Sequence, residues 1–330
     1  MVGDRIVPSA PYAERDRRVQ RHRWISRILD MQDVTLIANP VSGSGRSRET
    51  VRSLSEGLRG RGYEVREVWT ELSDPRSWLD PVLGQTDAAL VVGGDGTLRM
   101  VAESLVRCAV PCWQVPCGTE NLFARGLGMS SDEAAIHSAL DSGRVRALDA
   151  VRANGSLALL MASVGFDAAV VHDLSSRRSG TISHWTYLPC ILRQLAHWRP
   201  TRMSLSLDDL TVLDGESGWC FVCNSREYGA RFDPAPQADM SDGLLDVVFL
   251  PTRSRAQVLA WMARARSGRH LERDGVLHAR AQRVRLEFDA PVPWQLDGDM
   301  PPTDSPSIVD SLSMECLPGV LPVLVPSQRA

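Results

Sequence analysis

The stretch Ala88-Ala89-Leu90-Val91-Val92-Gly93-Gly94-Asp95-Gly96-Thr97 decides the fold of this chain. Its first five residues are apolar and predict a buried strand, and a helix-like sequence from Thr97 to Val106 follows at once. Glycines let the backbone turn tightly and approach a ligand closely. The N–H groups at a helix start can bind an anion, and a carboxylate can hold the divalent ion that accompanies phosphates. The stretch therefore predicts a nucleotide-phosphate site.

Two further turns of this kind flank the stretch. The strand-like run Val34 to Ala38 continues through Asn39-Pro40-Val41-Ser42-Gly43-Ser44-Gly45 into a helix-like sequence, and the run Val110 to Val115 leads into Pro116-Cys117-Gly118-Thr119-Glu120-Asn121. Open α/β sheets bind ligands where parallel strands end and helices begin. One glycine-rich turn can arise from steric needs alone. Three in chain order favour phosphate binding over tight turns without a ligand.

The residue types limit the kind of phosphate site. The segment Gly43-Ser44-Gly45-Arg46-Ser47-Arg48 lacks the third glycine of a dinucleotide-binding motif, and no segment matches a P-loop. The chain contains no lysine and has 37 arginines. A catalytic lysine, a Schiff base and the P-loop mechanism are therefore excluded. Phosphate charge must be met by backbone N–H groups, hydroxyls, arginine or metal.

Length and composition set broader limits. A chain of 330 residues is long enough for two domains, and its net charge of −3 argues against nucleic acid as the main partner. Seven cysteines without regular spacing predict reduced thiols in a cytoplasmic protein. The CxxC spacing of Cys220 and Cys223 lies in a strand-like run, which favours core packing over zinc. No apolar run reaches the length of about 20 residues that a membrane-spanning helix needs.

The ordered motifs resemble the diacylglycerol kinase catalytic domain family, which includes bacterial soluble diacylglycerol kinases, other bacterial lipid kinases, sphingosine kinases and ceramide kinases. The matching segments are Asn39-Pro40 with Ser42-Gly43-Ser44-Gly45, Gly93-Gly94-Asp95-Gly96-Thr97, Gly118-Thr119 with Asn121, Ser163-Val164-Gly165-Phe166-Asp167-Ala168, Tyr228-Gly229, Asp242-Gly243-Leu244-Leu245-Asp246 and Gln295-Leu296-Asp297-Gly298-Asp299. The Gly-Gly-Asp-Gly part alone is shared with NAD kinases and phosphofructokinases, whereas the ordered set is specific.

The resemblance implies an α/β Rossmann-like N-terminal domain plus a β-sandwich C-terminal domain, the two-domain architecture of NAD kinases and diacylglycerol kinases. Short strand-like runs after about Asp149 agree with a β-rich second domain, among them Leu157 to Val164, Trp219 to Asn224 and Val284 to Phe288. We expect an arginine-rich extension over residues 1–30, a nucleotide-binding domain over 31–150 and a lipid-binding domain over 151–300. The segment 301–330 is expected to pack back on the N-terminal domain.

The implied activity is transfer of the γ-phosphate of ATP, with Mg²⁺, to a lipid hydroxyl, most readily that of diacylglycerol. By resemblance the nucleotide-binding residues are Asn39, Ser42, Gly43, Ser44, Gly45, Thr70, Gly94, Asp95, Gly96, Thr97, Thr119 and Asn121. Asp95 would hold the catalytic magnesium ion. The resemblance also implies a structural magnesium site formed by the carboxylate of Asp242 and the backbone carbonyls of Asp239 and Leu244.

The general base is the point at which this sequence departs from the family. The family's late motif usually reads Asp-Gly-Glu, and its glutamate is the proposed base on the lipid hydroxyl, whereas Asp299 occupies that position here. Loss of one methylene shortens the side chain by about 1.5 Å. A misplacement of about 1 Å can cost on the order of a hundredfold in rate. Asp95 is the second candidate for the base.

The lipid substrate is expected at a membrane surface, at the inner face of the membrane. Substrate-region residues are Asp167, Trp185, Tyr187 and Tyr228. The stretch Trp185 to Trp198 is predicted to form either a helix packed on the sandwich or a partly exposed flap that rests on the bilayer interface. The arginines among residues 1–30 read either as a solvated extension or as a contact with anionic lipid. Family members often pair, so a homodimer is possible.

Three alternatives to diacylglycerol phosphorylation stay open at this point. The acceptor could be a sphingoid base or another lipid alcohol, because all of these present a hydroxyl on an amphiphile. It could be NAD or another soluble alcohol, although the downstream motifs argue against an NAD kinase. The third alternative is a nucleotide- or lipid-binding sensor without catalysis, which the replacement of glutamate by Asp299 supports.

Overall fold

The computed structural model describes residues 31–177, 184–229, 232–266 and 268–326. The arginine-rich extension predicted over residues 1–30 lies outside the described residues. Among the described residues no helix is long and apolar enough to cross a membrane.

The first domain is a parallel α/β sheet. Its strands are β1 (Asp33–Ala38), β2 (Glu64–Trp69), β3 (Ala88–Gly93) and β4 (Cys112–Pro116). They are parallel and lie in the order β2-β1-β3-β4. All of β3 is buried, as expected for a strand covered by helices on both faces of a parallel sheet.

The helices of this domain follow the strands. They are α1 (Arg46–Gly60), α2 (Pro75–Trp78), α3 (Asp80–Leu83), α4 (Asp95–Cys108), α5 (Leu122–Gly126) and α6 (Glu133–Ser142), with a 3₁₀ turn at Ser42–Gly45 before α1. The helix predicted from Thr97 already begins at Asp95, so the carboxylate of the glycine-rich turn belongs to the first turn of α4.

The second domain is rich in antiparallel strands. Its elements are β5 (Val145–Ala153), β6 (Ser156–Ala158), β7 (Met161–Val164), α7 (Phe166–Ser176), α8 (His184–His197), β8 (Arg202–Leu207), β9 (Leu210–Cys223), β10 (Leu245–Pro251), α9 (Arg255–Ala265), β11 (Leu277–Ala281), β12 (Arg283–Leu296) and β13 (Ile308–Leu324). A buried cluster inside this domain includes Val151, Trp294 and Leu312. Cys220 and Cys223 are buried in β9.

Two predicted strands are longer in the structure, and one is divided. β9 and β12 each span 14 residues and extend beyond the apolar runs at Trp219–Asn224 and Val284–Phe288. Residues 210–217 of β9 are partly or fully exposed, whereas the added part of β12 ends in the buried residues Trp294, Gln295 and Leu296. The run Leu157 to Val164 forms two strands rather than one. The N–H groups of Leu159 and Leu160 donate to the carboxylate of Asp297, so the strand ladder is interrupted there.

Strand β13 joins the two domains. It is antiparallel to β12 and β5, and near its end Val323 pairs with Cys112 of β4 in the first domain. The strand ladder is therefore continuous from β2 at one edge to β11 at the other through ten strands, and β5, β6 and β8 pair beside this path. The carboxyl ends of the parallel strands consequently lie at a fixed position relative to the second domain.

Candidate active site

The glycine-rich turns after β1, β3 and β4 meet at one edge of the parallel sheet. The hydroxyls of Ser42 and Thr97 are hydrogen-bonded at 3.3 Å, which links the first turn to the second. The second and third turns touch through their backbones, since a Cβ atom built on Gly118 would lie 2.6 Å from the Cα of Gly94. Only glycine permits this approach, so the three predicted turns form one site.

Side chains hold the first and third turns in shape. Asn121 has a left-handed backbone with φ 49°, and its amide accepts from the Gly118 N–H at 2.8 Å and donates to the Gly118 carbonyl at 2.9 Å. In the first turn, Oδ1 of Asn39 accepts from the Val41 N–H at 3.0 Å. Gly45 takes φ 90° at the start of α1. These amides therefore stabilise the turns.

The remaining predicted nucleotide residues lie around the same edge. Gly43 and Ser44 are in the 3₁₀ turn at Ser42–Gly45. Thr119 lines the cavity described below, together with Asn39 and Gly96. Thr70 follows β2, where its N–H donates to the Ala38 carbonyl at 2.9 Å, and it lies beside the cavity rather than on its lining.

The carboxylate of Asp95 joins two of the turns. Its oxygens accept the N–H groups of Leu122 at 2.9 Å and Phe123 at 3.0 Å, the first two residues of α5. Burial raises the pKa of Asp95, although these hydrogen bonds oppose the shift. Each carboxylate oxygen of Asp95 accepts one of these N–H groups and keeps a further lone pair that a cation could use. The donor chemistry therefore fits a hard divalent ion.

The late motif forms a tight hairpin turn. Leu296 and Asp299 exchange backbone hydrogen bonds at 2.9 and 3.1 Å, and the two residues between them, Asp297 and Gly298, have φ 52° and 80°. Two central residues with positive φ define the type I′ turn, for which Asp-Gly is a preferred sequence. The Asp-Gly part of the motif is thus required by backbone geometry.

The two aspartates of this turn have different surroundings. The carboxylate of Asp297 is buried and accepts the N–H groups of residues 159, 160 and 161 at 2.8 to 3.0 Å. Burial raises the pKa of Asp297. The side chain of Asp299 is 38% exposed, accepts from the Met300 N–H at 2.9 Å and lines the cavity. Asp299 is thus the carboxylate of the turn that a substrate can reach.

A buried polar cluster surrounds Asp167. Its carboxylate accepts hydrogen bonds from the Trp219 indole at 2.6 Å, from the Tyr228 hydroxyl at 3.0 Å and from the Ser163 hydroxyl. The amide of Gln295 donates to Ser163 at 2.8 Å. Burial raises the pKa of Asp167, and burial together with the nearby Asp167 raises the pKa of Tyr228. The cluster therefore fixes the cavity wall at the predicted substrate region.

One cavity of about 1650 Å³ connects these features. Its polar end is lined by the glycine-rich turns, and Asp299 lies along its wall. The other end is mainly apolar and is lined by Val170, Val171, Tyr187, Ile191, Phe221 and Met262. Tyr187 lies on α8, which covers this end, whereas the side chain of Trp185 lies outside the described residues.

Comparison with known proteins agrees with this geometry. Residues 33–153 match the diacylglycerol kinase catalytic domain, and residues 161–325 match the YegS C-terminal NAD kinase beta sandwich-like domain. The chain belongs to the diacylglycerol kinase catalytic domain family. It is therefore a lipid kinase, a phosphotransferase, and the resemblance and two-domain fold expected from the sequence are confirmed. Family membership also implies that it uses ATP.

Individual relatives cover most of this lipid kinase. It is 30% identical over 270 residues to the diacylglycerol kinase of Mycobacterium tuberculosis, covering 79% of this chain and 87% of that protein. It is 34% identical over 229 residues to the probable lipid kinase YegS-like of Pseudomonas aeruginosa, covering 68% and 74%. A diacylglycerol kinase structure from Bacillus anthracis has the same fold, with a TM-score of 0.66, 18% identity and coverage of 90% and 97%.

The loop assigned to a structural magnesium ion contains ion pairs in this lipid kinase. The carboxylate of Asp242 pairs with Arg280, and Oδ1 of Asp239 lies 3.2 Å from the Arg146 guanidinium. Asp242 also accepts the Leu244 N–H at 2.9 Å. A cation in this loop would share the Asp242 carboxylate with Arg280, and the magnesium site expected from this carboxylate and the backbone carbonyls of Asp239 and Leu244 stays a prediction. No group of three or more His, Cys, Asp or Glu residues within the described ranges could hold a metal.

Sequence reasoning missed several residues of the site. The structural role of Asp297 could have been found, because Asp-Gly is the sequence typical of a type I′ turn. Ser163 and Gln295 lie inside family motifs, but nothing in their spacing indicates the hydrogen bond between them. No pattern in the sequence indicates that Arg99 of α4 contacts the late turn either.

Replacing Gly118 by alanine tests the contact between the second and third turns. The added Cβ would meet the backbone of Gly94, which cannot rotate away as a side chain can. We expect Gly118→Ala to lower the free energy of unfolding by about 1–3 kcal/mol and to weaken ATP binding. Gly96→Ala is the matched control for stability, since no atom lies within 4 Å of a Cβ at Gly96. Urea unfolding of both variants measures the difference, and equal stabilities would contradict the contact.

Proposed function

We propose that this lipid kinase transfers the γ-phosphoryl group of ATP, in the presence of Mg²⁺, to the hydroxyl of diacylglycerol and so forms phosphatidic acid. The observation that carries the proposal is the single cavity that is polar at the glycine-rich turns and apolar beneath α8. Ligand pockets usually enclose about 300–1,000 Å³. A cavity of about 1650 Å³ has room for a nucleotide and an amphiphile together.

The polar end supports nucleotide binding. Backbone N–H groups at the start of α4 and the hydroxyls of Ser42 and Thr97 supply donors for phosphate oxygens, as a chain without lysine requires. Asp95 would hold the magnesium ion that neutralises charge on the phosphates. The proposal retains the other nucleotide residues expected from the resemblance, which frame the same edge of the sheet.

The apolar end supports a lipid acceptor. Helices α7 and α8 contribute Val170, Val171 and Ile191 to its lining, and β9 contributes Phe221. Burying an acyl chain stabilises a complex by about 0.8 kcal/mol for each methylene group. A soluble alcohol such as NAD would leave this surface unused. The apolar lining therefore favours a lipid over NAD, and it does not by itself distinguish diacylglycerol from a sphingoid base.

The transfer requires a group that accepts the proton of the lipid hydroxyl. We assign this role to Asp299, because its carboxylate is partly exposed and lines the cavity. As the hydroxyl oxygen bonds to the γ-phosphorus, its proton passes to Asp299 and the bond to the bridging oxygen of ADP breaks. Asp95 is less suited to this role, because the proposal places the magnesium ion on the lone pairs that the N–H groups of α5 leave on its carboxylate.

A transfer assay with γ-labelled ATP, Mg²⁺ and mixed micelles tests the function directly. The micelles would carry diacylglycerol, monoacylglycerol, phosphatidylglycerol or a sphingoid base, and NAD would be supplied in a separate reaction. We expect label in the organic phase, with diacylglycerol as the best acceptor. Label that stays in water with NAD as the only productive acceptor would overturn the lipid assignment. Tight ATP binding without any transfer would identify a sensor.

Substitution of Asp299 tests the assignment of the base. General-base assistance contributes about 10²- to 10⁴-fold, so Asp299→Ala should lower kcat by at least about a hundredfold and leave ATP affinity unchanged. Asp310→Ala, which removes an exposed carboxylate at the start of β13, is the control. Steady-state kinetics and calorimetric ATP binding supply both readouts. Near-normal turnover of Asp299→Ala would contradict the assignment and favour Asp95 as the general base.

Helix α8 supports action at a membrane surface. Tyr187 and Ile191 face the cavity, whereas the neighbouring stripe formed by Leu188 and Leu192 is 46% and 58% exposed. Exposed leucines one helical turn apart form an apolar strip that can enter the interfacial region of a bilayer. We therefore retain the flap interpretation of this helix. Pairing of two chains stays a prediction.

Replacing the exposed stripe of α8 measures its contribution. We expect the double variant Leu188→Ser and Leu192→Ser to bind diacylglycerol-containing vesicles several-fold more weakly, because burial of each leucine side chain is worth about 1.5–3 kcal/mol when complete. Leu259→Ser is the matched control, since Leu259 is 50% exposed on α9. Vesicle sedimentation measures binding, and kinetics with a short-chain dispersed diacylglycerol should stay unchanged. Equal vesicle binding by the parent and the double variant would show that α8 does not dock.

A further inference from the structure

Arg99 connects the nucleotide-binding helix to the turn that carries Asp299. It lies on α4 one helical turn after Asp95, so the two side chains project from the same side of the helix. Its guanidinium donates to the Leu296 carbonyl at 2.8 Å and to the Met300 carbonyl at 3.3 Å. These two carbonyls lie on either side of the hairpin turn. The side chain of Arg99 is only 14% exposed.

The contact of Arg99 with Asp299 itself is looser. Nη2 of Arg99 lies 3.9 Å from Oδ2 of Asp299, farther than a hydrogen bond reaches. The guanidinium therefore binds the backbone on each side of the aspartate and leaves the carboxylate facing the cavity. A rigid planar guanidinium is suited to holding two acceptors at fixed positions.

The second domain holds the turn from the other side. Asp297 accepts three backbone N–H groups between β6 and β7, and Oε1 of Gln295 accepts the Gly298 N–H at 2.7 Å. These contacts fix the turn to the sandwich, but they do not determine its distance from α4. Arg99 joins the turn to the helix that begins at the phosphate site.

We propose that Arg99 is the positioning residue that sets the distance of Asp299 from the phosphate site. The inference rests on the proposed function, in which Asp299 receives the hydroxyl proton. An aspartate reaches about 1.5 Å less far than a glutamate, so its backbone must be held close to the site. Arg99 does this by tying residues 296 and 300 to α4. It acts through Asp299 and takes no part in proton transfer itself.

Arg152 supplies a matched control. It also joins α4 to the second domain, since its guanidinium binds Glu103 of α4 at 2.5 Å and the Gly155 carbonyl at 3.1 Å. Glu103 lies one helical turn beyond Arg99, away from the phosphate turn. Arg152→Met therefore removes a contact between the same domains without touching the turn at residues 296–300.

The experiment combines Arg99→Met with the substitutions of Asp299. We expect Arg99→Met to lower kcat by about ten- to a hundredfold, with KM for ATP changed less than twofold, and Arg152→Met to leave both near the parent values. In the Asp299→Ala background, Arg99→Met should cause no further loss, because residues that act through one another are not additive. Asp299→Glu should restore part of the activity of Arg99→Met by lengthening the side chain.

The opposite results would overturn the inference. A loss of kcat of the same size with and without Asp299 would show that Arg99 acts independently of the aspartate. A matching loss in Arg152→Met would show a general weakening of the domain contact. Hydrogen exchange at residues 298–300 gives a readout apart from turnover: faster exchange in Arg99→Met alone supports positioning, and unchanged exchange contradicts it. A parent protein that labels no lipid would refute the proposed function itself, whatever the exchange shows.

Discussion

The cleft of this lipid kinase depends on carboxylates that accept backbone N–H groups from distant parts of the chain. Asp95 binds the start of α5, and Asp297 binds the segment between β6 and β7. Asp149, also buried, accepts the N–H groups of Gly243 and Gly319 at 2.7 and 2.6 Å. Hydrogen bonds to a charged acceptor are about twice as strong as neutral ones. They satisfy turns whose N–H groups have no strand or helix partner.

This constraint separates two roles within the Asp-Gly-Asp motif. Asp297 is withdrawn from solvent, its pKa is raised by burial, and its oxygens are occupied by the backbone. Asp299 stands two residues later on the opposite side of a type I′ turn and is open to the cavity. A sequence motif does not distinguish the residue that builds the turn from the residue that the turn presents. The hydrogen-bond partners of the two aspartates make this distinction.

The fold could be predicted from the sequence wherever local chemistry determined it. The apolar run of β3 and the glycines after it identify a parallel strand and a phosphate turn, because few other structures require both. The lengths of β9 and β12 could not be predicted, since the residues beyond their apolar runs include aspartate with glycine in β9 and aspartate with proline in β12, which are uncommon in strands. The cavity wall and Arg99 depend on contacts between residues far apart in sequence, for which spacing gives no signal.

The proposed role of Asp299 as the general base requires its backbone to be held firmly, because its side chain is short. Flexible attachment would let the carboxylate move away by about the 1 Å that costs on the order of a hundredfold in rate. Three features restrain residues 296–300. The turn contains two residues with left-handed backbone, Asp297 accepts three backbone N–H groups, and the guanidinium of Arg99 binds the carbonyls of residues 296 and 300. Because Arg99 lies on the helix that begins at Asp95, a displacement of the glycine-rich turn before this helix would also move Asp299, the proposed base. The proposed nucleotide end of the cavity and the proposed acceptor end would thereby be coupled through one helix.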